Sequence, residues 1–116
     1  PNGAAVFIDY AHTPGALQKL LEVARAHVKG ALHLVFGCGG DRDAGKRPLM
    51  GAIAQKLADR VIVTDDNPRS EDAMRIRAAI MAACPKAVEI GDRAEAIAAA
   101  LKELKPEDML IVAGKG

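Results

Sequence analysis

The fold is decided by residues 32–71, which read LHLVFGCGGDRDAGKRPLMGAIAQKLADRVIVTDDNPRSE. This run begins with a mainly apolar stretch at 32–36, which includes His33, and contains a continuous apolar stretch at 61–63. Both stretches predict strands. Between the two strands Pro48 opens a predicted helix, and an apolar face follows it at helical spacing: Met50, Ile53, Ala54 and Leu57. The run therefore predicts a β-α-β unit.

The same alternation continues on both sides of that unit. Residues 5–8 form a short, continuous β-rich run, which predicts a strand buried on both faces. Thr13 and Pro14 predict the cap and first turn of a helix that Gly30 stops. Beyond the unit, Ser70 is predicted to cap a third helix. A weak strand, a helix and a last strand are then predicted at 87–90, 93–104 and 109–113. The order predicts a Rossmann-like three-layer α/β domain with a mainly parallel sheet of about five to six strands.

Composition limits the functional classes. The 116 residues suit one domain, and 16 Lys+Arg against 15 Asp+Glu give a net charge of +1, which argues against a nucleic-acid partner. No long apolar stretch or leader is present, so we expect no membrane span and no secretory signal. Two cysteines without a CxxC pair, and three scattered histidines, predict a reduced cytosolic protein without structural metal. Both ends look like cut points, and we expect the chain to be a piece of a longer protein.

Polar residues collect where the predicted strands end. Parallel strands bring their carboxyl ends to one edge of the sheet, where ligands of such folds bind. The segments expected at this edge are residues 9–14, 37–47, 65–69, 91–93 and 114–116.

Two glycine patterns in the second of these loops are incomplete. Gly40-x-x-x-x-Gly45-Lys46 continues with Arg47, so it lacks the hydroxyl with which a P-loop ligates Mg²⁺. A dinucleotide fingerprint that begins at Gly37 fails because its third glycine position is Arg42. We expect the glycines to allow sharp turns while Arg42, Lys46 and Arg47 point at an anion.

The run Asp66-Asn67-Pro68-Arg69 is the most informative part of this edge. Arg69 can bind a carboxylate with two hydrogen bonds, and Asp66 and Asn67 offer acceptors that suit an ammonium group. Such a combination is typical of an amino-acid pocket. An equally open alternative is an Asx-type turn that carries a solvated arginine.

The turn after the first strand offers a second candidate. Asp9 suits a ribose hydroxyl or a cation, and His12 suits a phosphate. Alternatively, Asp9 stabilises the turn and His12 is an ordinary surface residue. Cys38 and Cys84 lack the partner that a nucleophile needs.

Four motifs carry a resemblance to a known family: DYAHTP (9–14), FGCGGDRDAGKRPLMG (36–51), TDDNPRSE (64–71) and VAGKG (112–116). They resemble the C-terminal domain of the Mur ligases, and among these the members that add meso-diaminopimelate. The resemblance covers the whole chain. It implies that residues 1–116 are the amino-acid-binding domain of a three-domain enzyme, whose UDP-sugar domain and central ATPase domain are absent from this chain.

The resemblance implies a ligase of bacterial peptidoglycan biosynthesis that acts in the cytoplasm. Such enzymes use ATP and Mg²⁺, held mainly by the central domain, to convert the D-glutamyl carboxylate of UDP-N-acetylmuramoyl-L-alanyl-D-glutamate into an acyl phosphate. The amine of meso-diaminopimelate then attacks it. The residues implied to bind meso-diaminopimelate are Arg42, Asp66, Asn67, Pro68, Arg69 and Gly114.

Arg69 is implied to distinguish meso-diaminopimelate from lysine, and Asp9 and His12 to contact the nucleotide. The resemblance implies no catalytic or metal-binding residue in this chain. In the family, His and Glu follow the last glycine, whereas this sequence stops at Gly116.

Two alternatives remain at this point. One is a related ligase domain, either from a lysine-adding Mur enzyme or of the folylpolyglutamate synthase type; neither should carry the full Asp-Asn-Pro-Arg run. The other is a Rossmann-like binding module without catalysis. We also expect the isolated domain to be inactive, because the P-loop and the Mg²⁺ ligands belong to the central domain.

Overall fold

The structure is a computed structural model, and it describes residues 3–40 and 44–114. Its strands are β1 (Ala5–Asp9), β2 (Leu32–Phe36), β3 (Arg60–Val63), β4 (Val88–Glu89) and β5 (Met109–Ala113). Its helices are α1 (Pro14–His27), α2 (Lys46–Leu57), α3 (Ala73–Ala83) and α4 (Arg93–Glu103). Every strand pair is parallel, and the order across the sheet is β1-β5-β2-β3-β4.

This strand order explains how the helices divide into layers. The chain moves in one direction from β1 through β2 and β3 to β4, and then returns through α4 to place β5 between β1 and β2. Right-handed crossovers put α1, α2 and α3 on one face of the sheet and α4 on the other. Two apolar clusters, one under each helix layer, match this division. The predicted three-layer parallel α/β fold is confirmed. The prediction that residues 5–8 are buried on both faces was wrong: β1 is an edge strand of the sheet, and Val6, Phe7 and Ile8 are exposed.

The centre of the sheet is buried on both faces. All five residues of β2 are buried; Leu34 and Phe36 belong to the cluster under α1–α3, and Val35 belongs to the cluster under α4. A strand buried along its whole length is typical of a parallel sheet covered on both sides. It makes the sheet a firm base for the loops that follow its strands.

Two predicted helix starts were wrong. The third helix begins at Ala73 and not directly after Ser70, because a turn closed by Glu71 N–H donating to Pro68 O (3.0 Å) precedes it. Asp72 is its cap, and its carboxylate accepts from Met74 N. The second helix begins at Lys46, two residues before Pro48. Proline fits there because first-turn N–H groups have no partner within the helix.

A buried group of hydrogen bonds around Asp108 lies at the end of the sheet opposite the polar loops. Asp108 accepts hydrogen bonds from Ala31 N (2.8 Å), Lys105 N (3.1 Å) and His33 Nε2 (2.9 Å). The Ala31 and Lys105 amides and the His33 ring lower the pKa of Asp108 to about 2, although burial opposes them. None of the helices in residues 3–40 and 44–114 is long and apolar enough to cross a membrane.

Asp108 should contribute to the acid sensitivity of the fold. Because its pKa is lower in the folded chain, it stabilises the fold above the unfolded pKa of 3.8, and that contribution disappears as the pH falls towards about 2. The shift corresponds to roughly 2 kcal/mol. We expect Asp108→Asn to flatten the dependence of unfolding free energy on pH in this range, measured by urea unfolding. The exposed neighbour Glu107 supplies the control, Glu107→Gln; parallel curves for parent and Asp108→Asn would contradict the prediction.

Candidate functional site

The loops at the carboxyl ends of the strands meet around one cleft of about 160 Å³. It lies where the strand order changes direction, between the ends of β1, β5, β2 and β3. The residues that line it are Tyr10, His12, Gly37, Cys38, Gly39, Lys46, Asp66, Asn67, Arg69 and Gly114. Three of the segments predicted to meet at this edge contribute two or more of these residues, and Gly114 comes from a fourth.

Backbone contact between two loops forms one wall of the cleft. Gly40 N donates to Asn67 O at 3.0 Å, which joins the loop after β2 to the loop after β3. A Cβ atom added to Gly40 would lie 1.8 Å from Pro68 O, and one added to Gly37 would lie 2.2 Å from Thr64 O. Only glycine permits such close approach, so these glycines are needed to bring the loops together.

The Asp66–Arg69 run has an unusual backbone conformation. Asn67 has φ 24° and Arg69 has φ 54°, in the left-handed region that residues other than glycine rarely adopt. Arg69 Nη1 donates to Gly40 O at 2.8 Å, which anchors the guanidinium on the facing loop. Backbone conformations of this kind persist where the surroundings hold them, often at ligand sites.

Arg69 has donors left for a ligand. Within residues 3–40 and 44–114 no carboxylate forms an ion pair with it. Guanidinium carries five N–H donors in a planar arrangement that matches a carboxylate. At the end of β5, a Cβ atom added to Gly114 (φ 104°) would lie 3.6 Å from Asp66 Oδ2, so the Asp66 carboxylate lies beside this glycine. The cleft thus presents a cation and an anion, as a zwitterionic ligand requires.

The structure gathers most of the predicted amino-acid contacts. Asp66, Asn67, Arg69 and Gly114 all line the cleft. Pro68 does not line it and instead directs its carbonyl oxygen towards Gly40. Arg42 lies outside the described residues.

The two predicted nucleotide contacts differ in placement. His12 lines the cleft, and its Nδ1 lies 3.0 Å from Tyr10 O. Asp9 is not among the lining residues; its Oδ1 accepts from Ala11 N at 2.8 Å, which shapes the turn after β1. Tyr10 packs edge-on against the His12 ring and also lines the cleft, although the sequence analysis did not select it.

The expectation that Lys46 and Arg47 both point at an anion was wrong for Arg47. Its guanidinium is buried and forms an ion pair with Glu71 (Nη2–Oε1 2.7 Å). Lys46 does line the cleft, and its Nζ donates to His12 O at 3.1 Å. That bond connects the start of α2 to the turn after β1.

Two further arginines, which the sequence analysis did not select, support the loops from behind. Arg77 binds Asp65 (2.5 Å) and Glu89 (2.7 Å), so it joins the ends of β3 and β4. Arg93 donates to Asp65 O (3.4 Å) and to Ala113 O (3.3 Å), which joins the ends of β3 and β5. Arg77 thus engages Asp65, while the adjacent Asp66 lines the cleft.

Neither nucleophilic nor metal chemistry has a suitable group in the described part of the cleft. Burial raises the pKa of Cys38 to about 11, so this thiol stays protonated at neutral pH. No cluster of three or more His, Cys, Asp or Glu side chains occurs in residues 3–40 and 44–114. The arrangement of the described residues is suited to binding and orienting a ligand.

Comparison with known proteins gives consistent matches. The family model described as Mur ligase, glutamate ligase domain, matches residues 1–116. The chain is 62% identical over 116 residues to the UDP-N-acetylmuramoyl-L-alanyl-D-glutamate–2,6-diaminopimelate ligase of Caulobacter vibrioides, covering 100% of this chain and 24% of that protein. It is 64% identical over 115 residues to the enzyme of the same name from Rhizobium meliloti, covering 99% of this chain and 24% of that protein. The chain thus spans about a quarter of the length of these relatives.

Solved structures give the same result at the level of the fold. A structure of a UDP-N-acetylmuramoyl-L-alanyl-D-glutamate–2,6-diaminopimelate ligase superimposes with a TM-score of 0.93 at 43% identity, covering 100% of this chain and 25% of that one. A bifunctional folylpolyglutamate synthase/dihydrofolate synthase superimposes with a TM-score of 0.78 at 20% identity, covering 99% of this chain and 27% of that one. The second likeness concerns the fold alone.

Proposed function

The chain belongs to the Mur ligase family, as its glutamate ligase domain, and from this membership we propose that it is the C-terminal, amino-acid-binding domain of an ATP-dependent ligase. The full-length enzyme joins meso-diaminopimelate to the D-glutamyl carboxylate of UDP-N-acetylmuramoyl-L-alanyl-D-glutamate, in the bacterial cytoplasm. The high identity to ligases of that name supports this choice over the folylpolyglutamate synthase type. The observation that carries the proposal is the position of Arg69 in the cleft beside Asp66 and Asn67.

The proposed reaction has two steps. A carboxylate oxygen of the D-glutamyl group attacks the γ-phosphorus of ATP, so ADP leaves and an acyl phosphate forms. The amine of meso-diaminopimelate then attacks the acyl carbon, the carbon–oxygen bond to phosphate breaks, and the amine loses a proton. This chain supplies the second reactant in a fixed orientation, and such positioning is a large part of the catalysis of bimolecular reactions.

Each end of the amino acid has a partner in the cleft. Arg69 binds a carboxylate of meso-diaminopimelate, with Arg42 as a further cationic contact. Asp66 and Asn67 accept from an ammonium group, and Gly114 allows the ligand to lie close to the end of β5. Lysine lacks one carboxylate of meso-diaminopimelate, so it would leave Arg69 unpaired, and sites built for a charged group reject such analogues strongly.

In this proposal the chain contributes a contact to ATP, whereas Mg²⁺ is bound elsewhere in the full-length enzyme. His12, which lines the cleft, contacts ATP in the full-length enzyme, while Asp9 holds the turn that carries His12. Mg²⁺ is assigned mainly to the central domain of the longer polypeptide, as the resemblance to the Mur ligases implies.

The proposal is tested with the full-length enzyme supplied with ATP, Mg²⁺ and UDP-N-acetylmuramoyl-L-alanyl-D-glutamate. Phosphate release is measured in parallel with meso-diaminopimelate and with L-lysine. We expect turnover with meso-diaminopimelate alone. Turnover with L-lysine alone would retain the ligase and contradict the role of Arg69. Without turnover on either, glutamate is the next amino acid to test, since it would indicate the folylpolyglutamate type.

The 116-residue chain on its own should not catalyse the reaction. We expect no ATP-dependent tripeptide product when the purified chain is incubated with all three substrates, because it provides only the amino-acid half of the site. The full-length enzyme at the same concentration is the positive control, and product is followed by mass spectrometry. Product from the short chain would contradict the assignment of phosphate activation to the central domain.

A further inference from the structure

A buried arginine lies directly behind the wall of the cleft. Arg47, the second residue of α2, is 4% exposed. It forms two hydrogen bonds with Glu71, Nη1 to Oε2 at 3.0 Å and Nη2 to Oε1 at 2.7 Å, and Nη2 also donates to Gly39 O at 3.3 Å. Neither Arg47 nor Glu71 lines the cleft. The Glu71 side chain is 33% exposed, and an ion pair in which a buried charge loses its water contributes little net stability, so stability alone does not explain the pair.

The contacts of this pair surround Arg69. Arg47 holds the carbonyl group of Gly39, and Arg69 holds that of the next residue, Gly40. A Cβ atom on Gly39 would lie 2.8 Å from Arg69 Nη1, so the guanidinium rests against this segment. Glu71 follows Arg69 by two residues, within the turn that Glu71 N closes on Pro68 O. Arg47 therefore fixes both the segment on which Arg69 rests and the backbone that carries it.

Charge gives the pair a second effect. Glu71 engages both terminal nitrogens of Arg47, so the Arg47 cation is neutralised and its bidentate donor face is occupied. Among the described residues, Arg69 is then the arginine that can bind a ligand carboxylate in the cleft. A second mobile cation behind the wall would compete for that carboxylate.

We propose that Arg47 and Glu71 are positioning residues that determine amino-acid specificity by holding the Arg69 guanidinium in place for the second carboxylate of the amino-acid substrate. This inference rests on the proposed function. Misplacing a binding group by about 1 Å costs on the order of a hundredfold in the reactions it orients. Loosening the pair should therefore reduce use of the dicarboxylate substrate and leave steps that do not involve Arg69 intact.

The test uses the full-length enzyme with Arg47→Lys and, separately, Glu71→Gln. Lysine keeps the charge but loses the two parallel bonds, and glutamine keeps the shape but loses the carboxylate. We expect either variant to raise KM for meso-diaminopimelate by about tenfold or more and to reduce the preference over L-lysine by a similar factor. KM for ATP and kcat at saturating amino acid should stay within about twofold, because Arg69 does not contact ATP in this proposal.

The matched control is a second bidentate arginine–carboxylate pair, far from the cleft. Arg25 binds Asp59 at 2.6 and 3.1 Å, and Arg25→Lys makes the same chemical change at the surface. We expect this variant to behave as the parent in every parameter. Thermal unfolding of all variants reports any loss of structure, and the half-buried Glu71 makes Glu71→Gln the milder change.

The outcomes separate the two proposals. If the parent enzyme uses meso-diaminopimelate and both variants keep its KM and its preference over L-lysine, the positioning role is wrong and the proposed function stands. A uniform fall in kcat with a matching rise in the KM for ATP would equally overturn it, since it would indicate a general structural role. If the parent enzyme uses neither amino acid, the proposed function is wrong and this inference falls with it.

Discussion

Replacement of Arg69 with alanine in the full-length enzyme is expected to lower kcat/KM for meso-diaminopimelate by roughly 30- to 900-fold, which corresponds to about 2–4 kcal/mol. Arg69 is the described guanidinium that lines the cleft, and no described carboxylate pairs with it. Its removal leaves a carboxylate of the substrate without a charged partner in a site that has already excluded part of its water. KM for ATP should not change, because the proposed nucleotide contact is His12.

Comparing Arg69→Ala with Arg69→Lys shows how much of this effect comes from charge and how much from geometry. Lysine retains the charge but cannot hold Gly40 O and a carboxylate in one rigid plane, so we expect an intermediate loss. Arg75→Ala, at an exposed position of the neighbouring helix α3, is the matched control and should have the parent's kinetics. A specificity constant near that of the parent enzyme for Arg69→Ala would remove the basis for the amino-acid assignment.

The sequence was sufficient for the fold because its evidence is local. Continuous apolar stretches such as Val61–Val63 and helical periodicity such as that of 50–57 are properties of neighbouring residues, and a parallel sheet then places the loops at one edge. The start of α3 could not be predicted in the same way. Ser70 and Asp72 are both good capping residues, and the choice between them depends on the turn that Pro68 and Glu71 close.

The candidate site was predictable in outline and not in its supporting contacts. Asp66, Asn67, Arg69 and Gly114 all lie in segments that follow strands, and the parallel topology brings those segments to one edge of the sheet. Long-range pairs have no such pattern. Arg47 and Glu71 are 24 positions apart in the sequence and meet because the loops after β2 and β3 pack against each other. From the sequence alone, an arginine near the start of a helix is therefore easily interpreted as a binding residue for an anionic ligand.

The packing of these two loops gives the second large expected effect. Gly40→Ala should reduce kcat/KM for meso-diaminopimelate on the order of a hundredfold and destabilise the fold by about 1–3 kcal/mol. Its new Cβ would meet Pro68 O at 1.8 Å and Pro68 C at 2.5 Å. Both are backbone atoms, so the loops must separate. The hydrogen bonds that Gly40 makes with Asn67 and Arg69 would then lengthen or break.

Gly15→Ala provides a control with the same chemical change and the opposite expected sign. A Cβ atom at Gly15 meets nothing within 4 Å, and the residue lies in the first turn of α1, where alanine stabilises a helix by about 0.4–1 kcal/mol. Urea unfolding and steady-state kinetics of both variants distinguish the effect of a steric clash between the loops from the general effect of replacing glycine with alanine. If Gly40→Ala matches Gly15→Ala in stability and activity, the loops do not touch as described. A loss confined to Gly40→Ala would mean that close backbone contact between the loops sets the position of Arg69.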